Sequence, residues 1–425
     1  MKILFLAHRT PYPPNKGEKI RAFHFLSHLA ISNEVTLVYW VDDPRDLSHT
    51  QFLSSVCRGP VLPVRLNRWG AMWRAFLALL SGRSFTEGFY GGSRFQRAVD
   101  KALRSGPFDA IFVFSSAVTG YAKHIPAKCK IVDFVDVDSD KWGQLAEASP
   151  FPVSWLYRRE QKYLCRFEIA ASRWASQSVF VSSAEAELFR KNGGVGSIGY
   201  LPNGTDLDLR RLPLGQLPFH APESDRSVPS SGPKLIFVGT MDYYPNVDAV
   251  RYFAHDIFPL IRQEFPDANF EIVGRSPTKV VRSLSRLEGV SVVGEVAEVR
   301  SYLIQADISV APMRIARGVQ NKVLEAMALG LPVVATPLAI EGIEVRDEVE
   351  VLVATDRDRF AHQVVRLLRD ADFRKGMTKR ARNKMNQCYN WDAIGAKLEQ
   401  LLGSVPASDL PVSAVSQVSA GQSGA

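Results

Sequence analysis

Asn321, Lys322 and Glu325 stand together where a helix is expected to begin directly after a buried strand. The stretch ADISVAPMRIARGVQNKVLEAMALG has the pattern of a strand, a loop containing Gly318, and a helix. A helix dipole disfavours a cation in the first turn, so Lys322 is easier to explain if an anion shares the site. Glu325 can accept hydrogen bonds from vicinal sugar hydroxyls. The alternative is a solvent-facing Lys–Glu pair, but the position after a strand favours a binding site.

A second set of candidates follows the first expected strand, in AHRTPYPPNKGEKIRAFHFL. Prolines stiffen this loop, Gly17 relieves steric limits at its end, and a helix is expected from about Glu18. The exposed amides of that helix start form a candidate anion site with the nearby cations Lys16, Lys19 and Arg21. Only one histidine, His8, is well placed, at the end of the strand. A solvated loop with surface lysines is the alternative interpretation, which the location disfavours.

Two further strand ends carry candidate residues. Gly239 ends the strand KLIFVG, where a ligand could approach the backbone closely. Asn246 could cap the following helix or contact a ligand, and the sequence favours neither. Arg275 follows the strand ending IVG, where a guanidinium could hold a phosphate by two parallel hydrogen bonds or simply lie on the surface.

An acidic group follows another strand, in DFVDVDSDKW. Asp138 or Ser139 is expected to cap the next helix, and a general-base role for a carboxylate here is the minority interpretation. The eight histidines and four cysteines show no metal-ligand spacing, so no metal site is predicted. No Ser-His-Asp set can be assigned.

The segment 65–83 combines tryptophan, arginine and a helical apolar stripe. Its apolar residues recur at positions 69, 72, 73, 76, 77 and 80, with arginines at 65, 68 and 83 flanking them. This pattern is typical of a helix lying on an anionic membrane surface. It is equally typical of an interior helix of the domain, so both interpretations stay open.

Short apolar strands alternate with helix-period segments in both halves of the chain, which predicts two parallel sheets covered by helices on both faces. At 425 residues the chain is long enough for two domains. A Pro/Ser/Gly-rich stretch at 215–233 separates 1–214 from 234–389 and is predicted to be a flexible linker. A helix is expected at 390–402, and the low-complexity residues 403–425 are predicted to be disordered.

Composition narrows the class of partner. The net charge is +8, and much of the excess lies between Arg65 and Arg104. Such a basic region could meet anionic lipid or phosphate-bearing substrates, while nucleic acid is disfavoured because no recognition motif accompanies the charge. No apolar stretch is long enough to span a membrane, and the scattered cysteines fit a cytoplasmic setting.

Together these motifs resemble the retaining glycosyltransferases of family 4, and more narrowly the bacterial sugar transferases of exopolysaccharide and PEP-CTERM loci. HRTPYPPNKGEKIR, DFVDVDSDKW, FVGTMDYYPNVDAVRYF and RGVQNKVLEAMALGLPVVAT stand in the order that this group shows. The resemblance implies a GT-B fold, with an acceptor-side N-terminal domain and a C-terminal domain that binds a nucleotide-sugar facing a central cleft. The helix at 390–402 would return to the first domain.

The resemblance also implies roles for the candidates. Glu325 would hold the donor ribose, and the donor would further contact Gly17, Gly239, Gly318, Asn321 and Lys322. Arg275, Lys322 and His8 are the catalytic candidates, and Lys19, Arg21 and Asp138 are assigned to the acceptor side. No metal and no cofactor are expected beyond the nucleotide-sugar as co-substrate.

The implied activity is metal-independent transfer of a sugar to a glycan or polyprenyl-linked acceptor. The protein would be cytoplasmic and held on the inner face of the membrane through 65–83. One departure is Arg317, where many relatives carry a glutamate that contacts the sugar. This departure leaves a catalytically silent nucleotide- or glycan-binding scaffold as the alternative function.

Overall fold

A computed structural model describes residues 1–14, 17–205, 232–316 and 318–403. The chain divides into two compact units. The first comprises Met1–Phe180, Leu188–Gly199 and the residues from Gly395 onward, and the second comprises Val181–Glu187 and Tyr200–Ile394. Lys16, Arg317, most of the predicted linker and the tail from 404 onward lie outside the described residues.

The first sheet has the strand order β3-β2-β1-β4-β5-β6-β7. Neighbouring strands from β3 through β6 pair in parallel. Its central strands are buried on both faces, as their continuous apolar sequences predict. The strands are β1 (Lys2–Ala7), β2 (Glu34–Val41), β3 (Val61–Arg65), β4 (Ala110–Phe114), β5 (Cys129–Val135), β6 (Gln177–Phe180) and β7 (Ile198–Tyr200).

Helices connect these strands, and short 3-10 turns at Pro44–His49 and Ser116–Tyr121 follow β2 and β4. The helices are α1 (Gly17–Ser32), α2 (Thr50–Val56), α3 (Arg68–Leu80), α4 (Phe85–Tyr90), α5 (Ser93–Leu103), α6 (Asp138–Glu147), α7 (Val153–Ser172) and α8 (Ser183–Lys191).

The second sheet is also parallel, in the order β10-β9-β8-β11-β12-β13. Its strands are β8 (Lys234–Val238), β9 (Asn269–Val273), β10 (Val290–Gly294), β11 (Ile308–Ala311), β12 (Val333–Ala335) and β13 (Leu352–Val353). The helices that follow are α9 (Tyr244–Tyr252), α10 (Phe258–Glu264), α11 (Lys279–Ser283), α12 (Arg300–Gln305), α13 (Asn321–Ala328), α14 (Arg357–Arg369), α15 (Ala371–Cys388) and α16 (Trp391–Gly403).

Both sheets confirm the predicted doubly wound α/β architecture. In each sheet the first strand lies in the interior. Strands are first added on one side of it and then on the other, so the strand order reverses between β1 and β4 and between β8 and β11. Ligands bind such sheets beyond the carboxyl ends of the strands at this reversal. The strand β3 was not predicted, because it is short and contains Pro63, which sheets accept mainly at an edge.

The last helix, α16, enters the first unit at Gly395. A side chain at Gly395 would overlap the ring of His28, with 2.2 Å between a Cβ and Nδ1. One turn later, Glu399 places Oε1 3.6 Å from Nε2 of His28. The close approach at Gly395 therefore packs this part of α16 against α1.

Two strand ends of the second sheet meet through glycine. Gly274, with φ of 147°, lies so close to Gly239 that a Cβ at Gly274 would be 1.7 Å from the Gly239 carbonyl oxygen. Only glycine adopts this backbone conformation without strain, and only glycine leaves room for the neighbouring backbone. The carboxyl ends of β8 and β9 are therefore held in contact.

Replacing Gly274 by alanine should destabilise the second unit by about 3 kcal/mol or more, because backbone strain and a backbone clash combine. Gly294→Ala is the matched control, since Gly294 has φ of 83° but no atom within 4 Å of a Cβ. The control should cost only about 1–2 kcal/mol. Urea unfolding of the two variants measures the difference, and equal losses would contradict the clash.

Candidate functional site

Lys322 occupies the start of α13 and is partly buried. Its Nζ donates to Oδ1 of Asn246 at 2.6 Å and lies 4.2 Å from the centre of the Phe237 ring. Loss of solvent lowers the pKa of Lys322 to about 7, although the nearby Glu325 carboxylate acts in the opposite direction. The ammonium is therefore short of compensating negative charge, and a bound anion would supply it.

Asn246 positions this lysine. Its Nδ2 donates to the Thr240 carbonyl at 3.0 Å, so the amide bridges the loop after β8 and α13. The amide fits because position 239 is glycine: a Cβ there would lie 2.7 Å from Nδ2. Asn246 does not cap α9. The N-cap position of this helix is Tyr243, whose side chain makes no capping hydrogen bond. The structure therefore contradicts the capping role, and contact of Asn246 with a ligand stays a prediction.

The other predicted residues of this unit lie around the same strand ends. Gln320 precedes α13 without a side-chain cap, so the first amides of the helix are available to a ligand. Gly318 adopts a φ of 66° in the preceding loop, and Asn321 accepts a hydrogen bond from Asn203 at 3.0 Å. Glu325 is partly buried on the next turn.

Arg275 follows β9 and is partly buried. Its carbonyl accepts a hydrogen bond from Met241 at 2.9 Å, which joins it to the loop after Gly239. Its guanidinium has no ion-pair partner in the described part of the chain. A guanidinium at the carboxyl end of a strand suits an anionic group.

In the first unit, His8 follows β1 and is buried between the rings of Tyr90 and Phe114, whose centroids lie 5.7 and 5.9 Å from its own. Its Nε2 is 3.5 Å from Oε2 of Glu18, and Arg9 donates to the other carboxylate oxygen, Oε1. Burial alone would raise the pKa of Glu18, but the hydrogen bonds and charges of His8 and Arg9 outweigh it and hold this pKa well below its usual range. Among the described residues, Nδ1 of His8 has no hydrogen-bond partner.

Two predicted acceptor-side residues point into the protein. Lys19 is buried and donates to Asp46 at 2.7 Å. Arg21 is fully buried, and its Nε and Nη2 donate to the two carboxylate oxygens of Asp133 at 2.8 and 3.1 Å. A buried charge with such a partner holds elements together, here α1 and β5. These positions suit a structural role better than contact with a substrate.

Asp138 begins α6 and lies within a polar group at the end of β5. Lys141 donates to Asp136 at 2.8 Å and to Asp138 at 3.0 Å. Beneath the helix start, the fully buried Glu168 accepts hydrogen bonds from Oγ and the amide of Ser139, at 2.6 and 3.2 Å. Burial raises the pKa of Glu168 to about 8, and the charge of Asp138 adds to the effect.

The helix α3 exposes its large apolar residues. Trp69, Trp73 and Leu80 are 88%, 63% and 72% exposed, while the face that packs on the unit consists of Ala71, Ala75 and Ala78. The interior-helix interpretation of this apolar stripe was therefore wrong. Exposed apolar patches of this kind mark contact surfaces.

Several residues of these sites were not singled out from the sequence. Arg9 follows His8 in the chain and shares the Glu18 carboxylate with it, whereas Tyr90 beside His8 and Asp46 beside Lys19 come from separate stretches of chain. Asn203, which contacts Asn321, is 118 positions away from it. Glu18 could have been noticed from the sequence, because it is a carboxylate in the first turn of the expected helix, beside Gly17.

Comparison with known proteins addresses the second unit first. Residues 232–370 match the family described as glycosyl transferases group 1. This segment runs from β8 to the end of α14 and contains Gly239, Arg275, Lys322 and Glu325.

Solved structures match nearly the whole chain. A sucrose-phosphate synthase from Thermosynechococcus elongatus has a TM-score of 0.67 at 18% identity, covering 94% of this chain and 98% of that one. Anabaena HepE in complex with UDP-glucose has a TM-score of 0.64 at 15% identity, covering 95% and 100%. WaaG, a glycosyltransferase involved in lipopolysaccharide biosynthesis, has a TM-score of 0.63 at 15% identity, also covering 95% and 100%. The fold is the GT-B fold of two Rossmann-like domains. Of the helices in the described ranges, none has the length and hydropathy to cross a membrane.

The raised pKa of Glu168 predicts a pH-dependent stability. Between pH 6 and 9 the unfolded chain carries this carboxylate ionised, while the folded protein keeps it protonated up to about pH 8. At this group the folded state binds more protons in this window, so the contribution of Glu168 to the free energy of unfolding falls as pH rises, by roughly 2–3 kcal/mol, while the lowered pKa of Lys322 contributes in the opposite direction. Glu168→Gln should lack this component, because an amide replaces the protonated acid. Denaturant titrations at pH 6, 7.5 and 9 measure it.

The exposed Glu187→Gln is the control for this series and should follow the wild-type profile. If Glu168→Gln loses as much stability as wild type between pH 6 and 9, Glu168 is not the titrating group.

Proposed function

We propose that the protein is a glycosyltransferase that moves a sugar from a nucleotide-diphospho-sugar donor to a glycan acceptor with retention of configuration. The observation that carries the proposal is Lys322, a desolvated amine at the start of α13 with no ion-pair partner among the described residues, within a segment that matches group 1 glycosyl transferases. A cation and helix-start amides at the carboxyl edge of a parallel sheet are suited to a diphosphate.

The donor is proposed to place its diphosphate against Lys322 and its ribose against Glu325, with Gly318 and Asn321 in the loop around it. Gly239 lets the ligand approach the backbone, and Arg275 stands on the neighbouring strand end. Uridine is the base with which to begin, because structures of HepE, which has the same fold, are complexes with UDP and UDP-glucose.

The reaction breaks the bond between the sugar C1 and the diphosphate oxygen, and negative charge grows on the leaving group. Arg275, Lys322 and the helix-start amides would stabilise that charge, an effect typically worth several kcal/mol. Because these cations supply the positive charge, we propose that the reaction needs no metal. The acceptor hydroxyl attacks C1 on the face that the diphosphate leaves, and its proton passes to the departing oxygen. His8 and Gly17 are the first unit's proposed contributions.

The acceptor is proposed to be a lipid-linked glycan in exopolysaccharide biosynthesis, which places the protein in the cytoplasm on the inner face of the membrane. The support is the exposed apolar face of α3 with its flanking arginines. A second exposed group, Phe151 and Trp155, opens α7. Arg159 of α7 donates to the Leu79 and Arg83 carbonyls, which brings this helix beside the end of α3.

For the donor site, Lys322→Ala should abolish stabilisation by the correct nucleotide-sugar, because the diphosphate loses its cation. The measurement is the thermal shift with UDP-, GDP-, ADP- and dTDP-sugars, together with donor consumption when a membrane extract supplies acceptor.

Glu325→Ala should cut turnover at least tenfold without unfolding the protein. Lys379→Ala, at an exposed lysine in the middle of α15, is the control. A donor that stabilises wild type without turnover would favour the silent scaffold.

The same experiment has a pH signature. Lys322 carries its full charge only below about pH 7, so nucleotide affinity should fall as pH rises from 7 to 9. The fall can reach about tenfold per pH unit in wild type and should be absent in Lys322→Ala. An equal pH dependence in both proteins would remove Lys322 from the diphosphate site.

For the membrane surface, the double variant Trp73→Glu/Leu77→Glu should lose binding to vesicles of phosphatidylglycerol and phosphatidylcholine. Burying two apolar side chains contributes several kcal/mol, so binding should fall more than about tenfold. Co-sedimentation measures it. Ile31→Glu, an equally exposed apolar position on α1, is the control. Undiminished binding by the double variant would contradict a membrane contact through α3.

A further inference from the structure

The first unit contains a cavity of about 370 Å³ that none of the predicted catalytic, donor-binding or acceptor-side residues lines. It lies between α4, the start of α5, the turn after β4 and α7. Its lining includes Arg83, Glu87, Ser93, Gln96, Tyr121 and Phe167. Pockets for small ligands occupy about 300–1,000 Å³, so this cavity can take one small ligand group.

The cavity lies at the carboxyl edge of the first sheet. The turn Ser116–Tyr121 follows β4 directly, and α5, which leads into β4, begins at this edge with Ser93. Tyr90, whose ring packs against His8, is followed at once by Gly91, which lines the cavity. A ligand held here is therefore close to the end of β1.

The polar groups of the cavity both donate and accept. Nε and Nη2 of Arg83 donate to Oε1 of Glu87, at 2.9 and 2.7 Å, so Oε2 can accept from another donor. Gly92 is the N-cap residue of α5. Because glycine has no side chain to bond the first amides of this helix, those amides are open toward the cavity. Ser93 and Gln96 are exposed and add a hydroxyl and an amide.

This chemistry matches a sugar better than an anion. Arg83, the cation in the lining, is paired with Glu87, and Arg74 lies behind Gly92, outside the lining, where its Nη2 donates to the Phe89 carbonyl at 3.1 Å. Neither guanidinium is therefore presented to the cavity as a free cation for a phosphate. The hydroxyl of Tyr121 is occupied, accepting from Gly92 at 2.6 Å and donating to Tyr90 at 2.7 Å, so its ring and that of Phe167 offer apolar surface. A sugar ring presents hydroxyls that donate and accept, together with apolar C–H faces.

The cavity adjoins the exposed apolar helix α3. Gly88 allows α4 to lie directly on α3, because a Cβ there would be 2.5 Å from Cβ of Ala78. Arg83 follows the end of α3 by three residues and lines the cavity. A glycan whose lipid lies in a membrane contacted by α3 could therefore place a sugar in the cavity.

We propose that this cavity binds one sugar residue of the acceptor glycan, with Glu87 and the start of α5 contacting its hydroxyls and Phe167 packing on its ring. The assignment of that sugar to an acceptor rests on the proposed glycosyltransferase function. Binding of a sugar to the cavity does not, and it can be tested separately.

The test is saturation-transfer NMR of the full-length protein with methyl glycosides of glucose, galactose, mannose and N-acetylglucosamine, which carry no lipid. At least one should show transfer to its ring protons. Glu87→Ala should weaken that glycoside's binding about tenfold, since a hydrogen bond to a charged group is lost. Ser93→Trp, which fills the cavity from an exposed position, should abolish it. Arg94→Ala, on α5 but outside the lining, should leave it unchanged.

UDP-induced thermal shifts on the same samples separate the two proposals. Loss of the glycoside signal in Glu87→Ala and Ser93→Trp, with the UDP shift retained, supports the cavity assignment. Transfer to none of the four glycosides in wild type, or equal transfer in all variants, overturns it whatever the UDP result. Failure of UDP to stabilise wild type counts against the donor site alone.

Discussion

The contact between Lys322 and Asn246 ties the second unit's candidate site together. It joins the start of α13 to the loop after β8, and it exists only because Gly239 leaves room for the amide and Gly274 leaves room for Gly239. Two glycines, an amide and a lysine from three strand ends thus form one packed group. Among the described residues no carboxylate forms an ion pair with its ammonium, so the group would gain from an anion.

The first unit manages its buried charges differently. Arg21 and Lys19 have carboxylate partners inside the fold, in Asp133 and Asp46, and the polar residues after β5 are joined by Lys141. Charges that are already compensated hold elements in place, whereas Lys322 and Arg275 of the second unit have no ion-pair partner within the described ranges. This contrast agrees with a donor diphosphate in the second unit and an uncharged sugar in the first.

Much of the fold could be predicted because parallel strands buried on both faces have continuous apolar sequences, as in β1 and β8. The strand β3 escaped because Pro63 interrupts its pattern. Placement after a strand also located Lys322, Glu325 and Arg275 at a sheet edge. Sequence could not show that Arg21 faces inward or that Asn246 holds Lys322, because those contacts join residues 112 and 76 positions apart. Local periodicity likewise predicted the stripe of α3 but not which side of the helix packs on the unit.

The helix α3 reverses the usual arrangement of a surface helix, since its alanines face the protein and its tryptophans face outward. The small residues allow close helix packing, so the aromatic face adds little to folding. In buffer without lipid or detergent, this exposed apolar face promotes self-association, because a second copy of the same helix can cover it. The apparent size of the purified protein should therefore depend on detergent.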